Sequence, residues 1–157
     1  MHVQSLGHVV LKVRDLKHSE DFYSGTLGMR IVLRLSDPRM TFFTIETTEN
    51  HHDFALMELG FDAPLPGDDT TGLAHVAFKI GTSADESGRA RSELHDSGTH
   101  ILYEADRTFT KSMHVLDPDG NEIELYVDAS GARREPTGKG LLESHGQRDP
   151  HSLQGSS

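Results

Sequence analysis

No cysteine occurs anywhere in the 157 residues, which excludes disulfides and thiolate-bound metals and leaves only nitrogen and oxygen as metal donors. Long apolar runs are missing too. No stretch reaches the roughly 18 residues that cross a bilayer, and the N-terminal MHVQSLGHVVLKV lacks a basic segment followed by an apolar one. The expectation is a soluble, cytoplasmic chain that does not engage a membrane. Positive charge is scarce, with 15 Lys and Arg against 25 Asp and Glu and a formal net charge of −10. Nucleic acid is therefore a poor partner, because counterion release needs clustered cations. A small molecule is the expected ligand. Histidine, by contrast, is plentiful at 11 residues, so the question is which of them stand on strands.

The chain repeats itself. Gly7-His8-Val9-Val10-Leu11-Lys12-Val13 returns as Ala74-His75-Val76-Ala77-Phe78-Lys79-Ile80, and both copies alternate with a period of two. Val9, Leu11 and Val13 share one face, matched by Val76, Phe78 and Ile80. His8 and His75 leave on the other. A helix is expected after each copy. The first runs over about 16–27, with Asp15 as N-cap and Gly28 as stop; the second over about 84–97, opened by Ser83-x-x-Glu86 and closed by Gly98. Three strand-like runs follow each helix, at about 29–36, 40–47 and 52–60, then about 99–104, 110–117 and 121–127. The turn Asp117-Pro118-Asp119-Gly120 precedes the last. The expected class is thus α+β, a βαβββ unit used twice, over residues 5–60 and 73–128 of a domain spanning 1–128. Residues 61–71 read as a linker, and 129–157, which contain His145 and His151, as a mobile tail with a short contact at Leu141-Leu142.

In Asn121-Glu122-Ile123-Glu124-Leu125-Tyr126-Val127 the apolar row is Ile123, Leu125 and Val127, so Glu124 faces away from it as His8 and His75 do. Two imidazoles and a carboxylate on rigid strands suit Fe(II), Mn(II), Ni(II) or Zn(II) and leave coordination positions open. Read from the residues alone, the same three side chains could equally be hydrogen-bonded strand residues.

The repeat, the motif Asp117-Pro118-Asp119-Gly120-Asn121-Glu122-Ile123-Glu124-Leu125 and the pattern Asp15-Leu16...Phe22-Tyr23...Leu27-Gly28 closely resemble the vicinal oxygen chelate superfamily, over about residues 5–128. This superfamily includes glyoxalase I, bleomycin-resistance proteins, fosfomycin-modifying enzymes and extradiol catechol dioxygenases. The resemblance implies two paired modules forming a cup-shaped mixed sheet around one metal, with His8, His75 and Glu124 as ligands and a substrate bound through two adjacent oxygens. It also implies a homo-oligomer, with modules paired inside one chain or between chains.

His51-His52-Asp53-Phe54-Ala55-Leu56 resembles the His-Asp-x-Ala segment of the extradiol dioxygenases, which gives His52 the role of acid-base group beside the metal. Thr110-Lys111-Ser112 resembles the one-domain dioxygenase-like members. The implied reaction uses Fe(II), a catechol-type substrate and O2. His114 stands where ring-cleaving relatives usually carry a tyrosine, and is a second candidate for the reacting site. Glu58, in Leu56-Met57-Glu58-Leu59, resembles the first-module glutamate of glyoxalase I, whose chemistry would be isomerisation of a hemithioacetal. His52 and Glu58 lie six residues apart, roughly 20 Å along a strand, too far for both to reach one metal. A noncatalytic small-molecule binder of the same fold is the third possibility.

Overall fold

The structure is a computed structural model that describes residues 1–45, 50–65, 67, 70–107 and 109–129. The segment expected to be a tail lies outside the described residues, apart from Ala129. Each half begins with a strand and a helix. β1 (Val9–Val13) leads to α1 (Leu16–Glu20), then to β2 (Arg30–Ser36), β3 (Arg39–Thr44) and β4 (Phe54–Glu58); β5 (Val76–Gly81) leads to α2 (Ala84–Asp96), then to β6 (Ile101–Asp106), β7 (Thr110–Leu116) and β8 (Glu122–Asp128). The result is two four-stranded sheets of identical order, β1-β4-β3-β2 and β5-β8-β7-β6. In each, the first and last strands pair in parallel and the other ladders are antiparallel. This is the expected pair of βαβββ modules.

Local chemistry sets the helix ends. Asp15 accepts from the His18 amide at 2.7 Å and opens α1. Ser83 accepts from the Glu86 amide at 3.3 Å, while Glu86 accepts from the Thr82 amide and the Ser83 hydroxyl at 2.8 Å each, so both halves of the expected capping box form. Gly28 and Gly98 take positive φ, 71° and 74°, and end the helical segments as expected. The first helix differs from its expectation in one respect. After Glu20 it widens into a π-helical turn, Asp21–Thr26, in which the Leu27 amide donates to the Phe22 carbonyl at 3.0 Å. Widening places Phe22 and Tyr23 side by side in the core, their rings edge-on at 5.1 Å.

Strand alternation sorts the side chains of each sheet into two faces. On the helix-covered face of the first sheet run the cross-strand rows Val9–Phe54–Phe43–Ile31 and Leu11–Leu56–Thr41–Arg34; on the second run Val76–Ile123–Val115–Ile101 and Phe78–Leu125–Met113–Glu104. Their apolar members join Leu16, Phe22, Tyr23 and Leu94 in a single cluster drawn from both modules. Fully burying one such large side chain contributes about 1.5–3 kcal/mol. Phe54 touches both sides of that cluster, 4.8 Å from Tyr23 and 5.6 Å from Phe78.

A polar lock also joins the modules. The Asp117 carboxylate accepts from the Asp119 amide, the Asn121 amide, the Asn121 side-chain amide and the Tyr23 phenol, all at 2.8–2.9 Å. The Arg14 amide donates to Asp119 at 3.0 Å. The Asp-Pro-Asp-Gly turn is thus both the entry to β8 and the point where the second module grips the first. Burial, followed by the negative charge of Asp117, pushes the Tyr23 phenol pKa up, so it stays a donor.

Candidate active site

The sheet faces turned away from the helices carry the candidate residues. In the second module the row is Ala77–Glu124–His114–Tyr103; the equivalent row in the first is Val10–Ala55–Phe42–Leu33. The two parallel ladders make this equivalence unambiguous, since Val9 stands opposite Phe54 and Val76 opposite Ile123. His8 and His75 both lie one residue before their strands.

The second module gathers most of the polar groups. His75 Nε2 is 3.3 Å from Glu124 Oε2, and His114 Nε2 is 3.8 Å from Glu124 Oε1. His114 is fully buried, its Nδ1 2.8 Å from Glu122 Oε1. Tyr103 stacks on the His114 ring with centroids 4.2 Å apart and donates its phenol proton to Glu122 at 2.6 Å. Burial alone would raise the Glu122 pKa, but the hydrogen bonds from Tyr103 and His114 outweigh it and hold the carboxyl below its ordinary range. Glu122 thus orients the His114 ring through Nδ1 and leaves Nε2 on the side of Glu124. Glu122 could have been suspected from the sequence because alternation puts it on the face of Glu124. Tyr103 could not, since a shift in the β6–β7 ladder between Ile101 and Tyr103 decides its neighbour.

The first module gathers a different set. The His52 ring lies 4.4 Å from that of His8, and edge-on to Phe42 at 5.2 Å. His51 Nδ1 and His52 Nδ1 are 2.6 Å apart, within hydrogen-bond distance. Partial burial first, then the neighbouring His8 and His51, lowers the His52 pKa against a smaller opposing effect of Asp53, so a neutral ring is favoured. Continued alternation would send His52 to the helix side with Phe54. It escapes because β4 starts only at Phe54. Asp53 holds this entry in place, accepting from the Ile45 amide at 2.8 Å while its carbonyl accepts from the Val9 amide at 3.2 Å. An open depression of about 390 Å³ adjoins these rings, lined by Val32, Leu33, Phe42, His51 and His52.

Glu58 is elsewhere. It pairs with Val13, four residues or roughly 13 Å beyond the Val9–Phe54 pair, and is the counterpart of buried Val127 rather than of Glu124. Its carboxylate accepts from the Leu16 amide at 2.9 Å and pairs with Arg39, capping α1 from across the sheet. The position matching Glu124 is Ala55.

A family model matches residues 5–125. The chain belongs to the Glyoxalase/Bleomycin resistance protein/Dioxygenase superfamily. Within it, a biphenyl-2,3-diol 1,2-dioxygenase of Rhodococcus globerulus is 34% identical over 133 residues, covering 84% of this chain and 67% of that one. A catechol-2,3-dioxygenase of Bacillus subtilis strain 168 is 29% identical over 94% of this chain, which spans about half (54%) of that enzyme's length. A lactoylglutathione lyase of Escherichia coli O157:H7 is 29% identical, over 80% of this chain and 94% of that one. Among solved structures, a glyoxylase/bleomycin resistance protein/dioxygenase domain from Frankia sp. EAN1pec superposes with a TM-score of 0.69 at 19% identity, covering 82% of this chain and all of that one. The superfamily's fold is therefore this chain's fold, and its named relatives are enzymes of more than one reaction type.

The donor chemistry suits the metal that such enzymes use. Glu124 is a nearly buried carboxylate beside His75 and His114, while His8 stands with His52, so among the described residues two of the three expected ligands meet and no group of three His, Asp or Glu side chains converges.

Proposed function

We propose that the protein is an Fe(II)-dependent extradiol dioxygenase acting on a catechol-type substrate, with His75 and Glu124 as ligands from the second module and His8 as the ligand from the first. The observation that carries the reading is the first-module register, which sets an imidazole, His52, beside His8 and leaves Glu58 capping α1. A glyoxalase I-like site needs a carboxylate there, whereas a ring-cleaving site needs a base.

When bound, Fe(II) supplies Lewis acidity toward the two adjacent substrate oxygens and a place for O2. His52, favoured as neutral, takes a proton from the catechol and later returns it to the opened product. His114, oriented through Nδ1 by Glu122, presents Nε2 beside the ligands as a hydrogen-bonding group for a substrate oxygen. The row Val10–Ala55–Phe42–Leu33 is apolar and suits the flat face of a ring. Ring cleavage breaks the carbon–carbon bond beside the diol and places both atoms of O2 in the product.

Anaerobically purified protein reconstituted with Fe(II) is expected to consume O2 with a catechol and release a yellow ring-opened product. His52→Ala should retain iron while losing about 10²–10⁴-fold in rate. The near-complete coverage of the lyase relative favours a second reading, isomerisation of a hemithioacetal. No O2 uptake by iron-loaded protein, together with Ni(II)-dependent turnover of methylglyoxal and glutathione, would establish that reading instead.

A further inference from the structure

The two modules share an irregularity. In the first, the β2–β3 ladder slips between Ile31 and Leu33, so that Leu33 rather than Val32 stands opposite Phe42. In the second, the β6–β7 ladder slips between Ile101 and Tyr103, so that Tyr103 rather than Leu102 stands opposite His114. One extra residue in a strand re-aims the side chain that follows it. Without the slip Tyr103 would fall opposite Met113, on the helix side.

What the slip delivers differs between the modules. The first receives an apolar pair, Leu33 and Phe42. The second receives a tyrosine that is 42% exposed and outside the apolar cluster, laid on a fully buried histidine. Leucine occupies the same backbone position in the first module, so packing alone does not call for a tyrosine in the second.

Tyr103 holds His114 in two ways. Their rings stack with centroids 4.2 Å apart and planes 16° from parallel, which fixes the plane of the imidazole. A plane alone does not decide which edge points where, since a half-turn of the ring exchanges nitrogens for carbons. Glu122 decides that. Its Oε1 is 2.8 Å from His114 Nδ1, and the Tyr103 phenol donates to the same Oε1 at 2.6 Å. Tyr103 thus acts on the plane directly and on the edge through Glu122. Nε2 is left in looser surroundings, 3.4 Å from Ser112 Oγ and 3.8 Å from Glu124 Oε1. The first-module counterpart of Glu122 is Asp53, which serves its own loop by accepting from the Ile45 amide at 2.8 Å.

We infer that Tyr103 is a positioning residue of the candidate site, holding the His114 ring so that Nε2 stays beside Glu124. The inference rests on the role proposed above for His114 and adds the residue that keeps that role in place.

Two substitutions separate the contacts. Tyr103→Phe keeps the stack and removes the phenol, whereas Tyr103→Leu, the residue of the first module, removes both. In metal-free protein with isotope-labelled histidine, the ring nitrogens of His114 are identified by NMR through their loss in His114→Ala. They should give one sharp set in the wild type, shifted in Tyr103→Phe and broadened or doubled in Tyr103→Leu. In the iron-loaded enzyme kcat for a catechol should fall about 10–100-fold in Tyr103→Leu and less in Tyr103→Phe, with KM nearly unchanged. The loss should vanish when His114→Ala is already present, because a residue that acts through His114 then has nothing to hold. Identical His114 signals in all three proteins, or an equal loss of kcat with and without His114, overturns the inference. Should Tyr103→Leu fail to fold, Tyr103→Phe carries both comparisons. Iron-loaded wild type that consumes no O2 overturns the dioxygenase reading alone; the nitrogen spectra, which need neither metal nor substrate, then decide the role of Tyr103.

Discussion

Among the described residues the Asp117 carboxylate accepts four hydrogen bonds, three from its own turn and one, from Tyr23, out of the first module. Tyr23→Phe keeps the ring's packing and removes that donor, leaving the carboxylate three others. The expected cost is about 1–3 kcal/mol by urea unfolding, at the upper end because the acceptor is charged and buried. Glu20 makes a comparable tie within the first module, pairing with Arg34 at 2.9 Å and accepting from Thr41 at 2.5 Å. The Arg34 hydrogen bond, which outweighs burial, holds the Glu20 pKa below its ordinary value. A carboxyl with a depressed folded-state pKa stabilises fully above its unfolded pKa of about 4.3 and loses that contribution as pH falls through the folded value. Because Arg34 is largely exposed, Glu20→Gln should cost under about 1 kcal/mol at pH 7, and the difference should shrink toward zero in melts taken at progressively lower pH below about 4.

Among the elements, α2 depends most on its ends. Leu94 is its only fully buried residue, with Ala90 packed partly against the core, so little apolar area offsets the entropy of ordering thirteen residues. The capping box at Ser83 and Glu86 matters correspondingly more. Ser83→Ala is expected to cost about 0.5–2 kcal/mol. Faster amide exchange confined to the first turn of α2, with the first module unchanged, is the check. The first helix has the opposite balance. Its π-helical turn gives up regular hydrogen bonding, and Phe22 and Tyr23 are both buried in return.

Across the whole molecule, Phe54 spans the seam between the modules. Phe54→Ala should cost about 3–5 kcal/mol, since the rings of Tyr23, Phe43 and Phe78 cannot all collapse into the space left. With the core continuous across both modules, denaturant unfolding of this variant should remain one cooperative transition; two separated transitions would mean that each module has a core of its own.

The sequence by itself determined the repeat, the strand that each candidate ligand borders, both helix caps and the absence of sulfur donors, because these follow from period-two alternation, local hydrogen bonding and composition. That Glu124 and His114 share one face of the second sheet is set by the β7–β8 register. Three further matters lay beyond the sequence. Whether His52 or Glu58 stands beside His8 depends on the register of β4 against β1, a non-local pairing. Tyr103 reaches His114 only through a ladder irregularity. The separation of His8 from His75 and Glu124 depends on which faces of the two sheets pack together, and alternation assigns residues to faces without saying which face meets which. Only the tertiary packing of Phe54, Phe78, Tyr23 and Asp117 decided that.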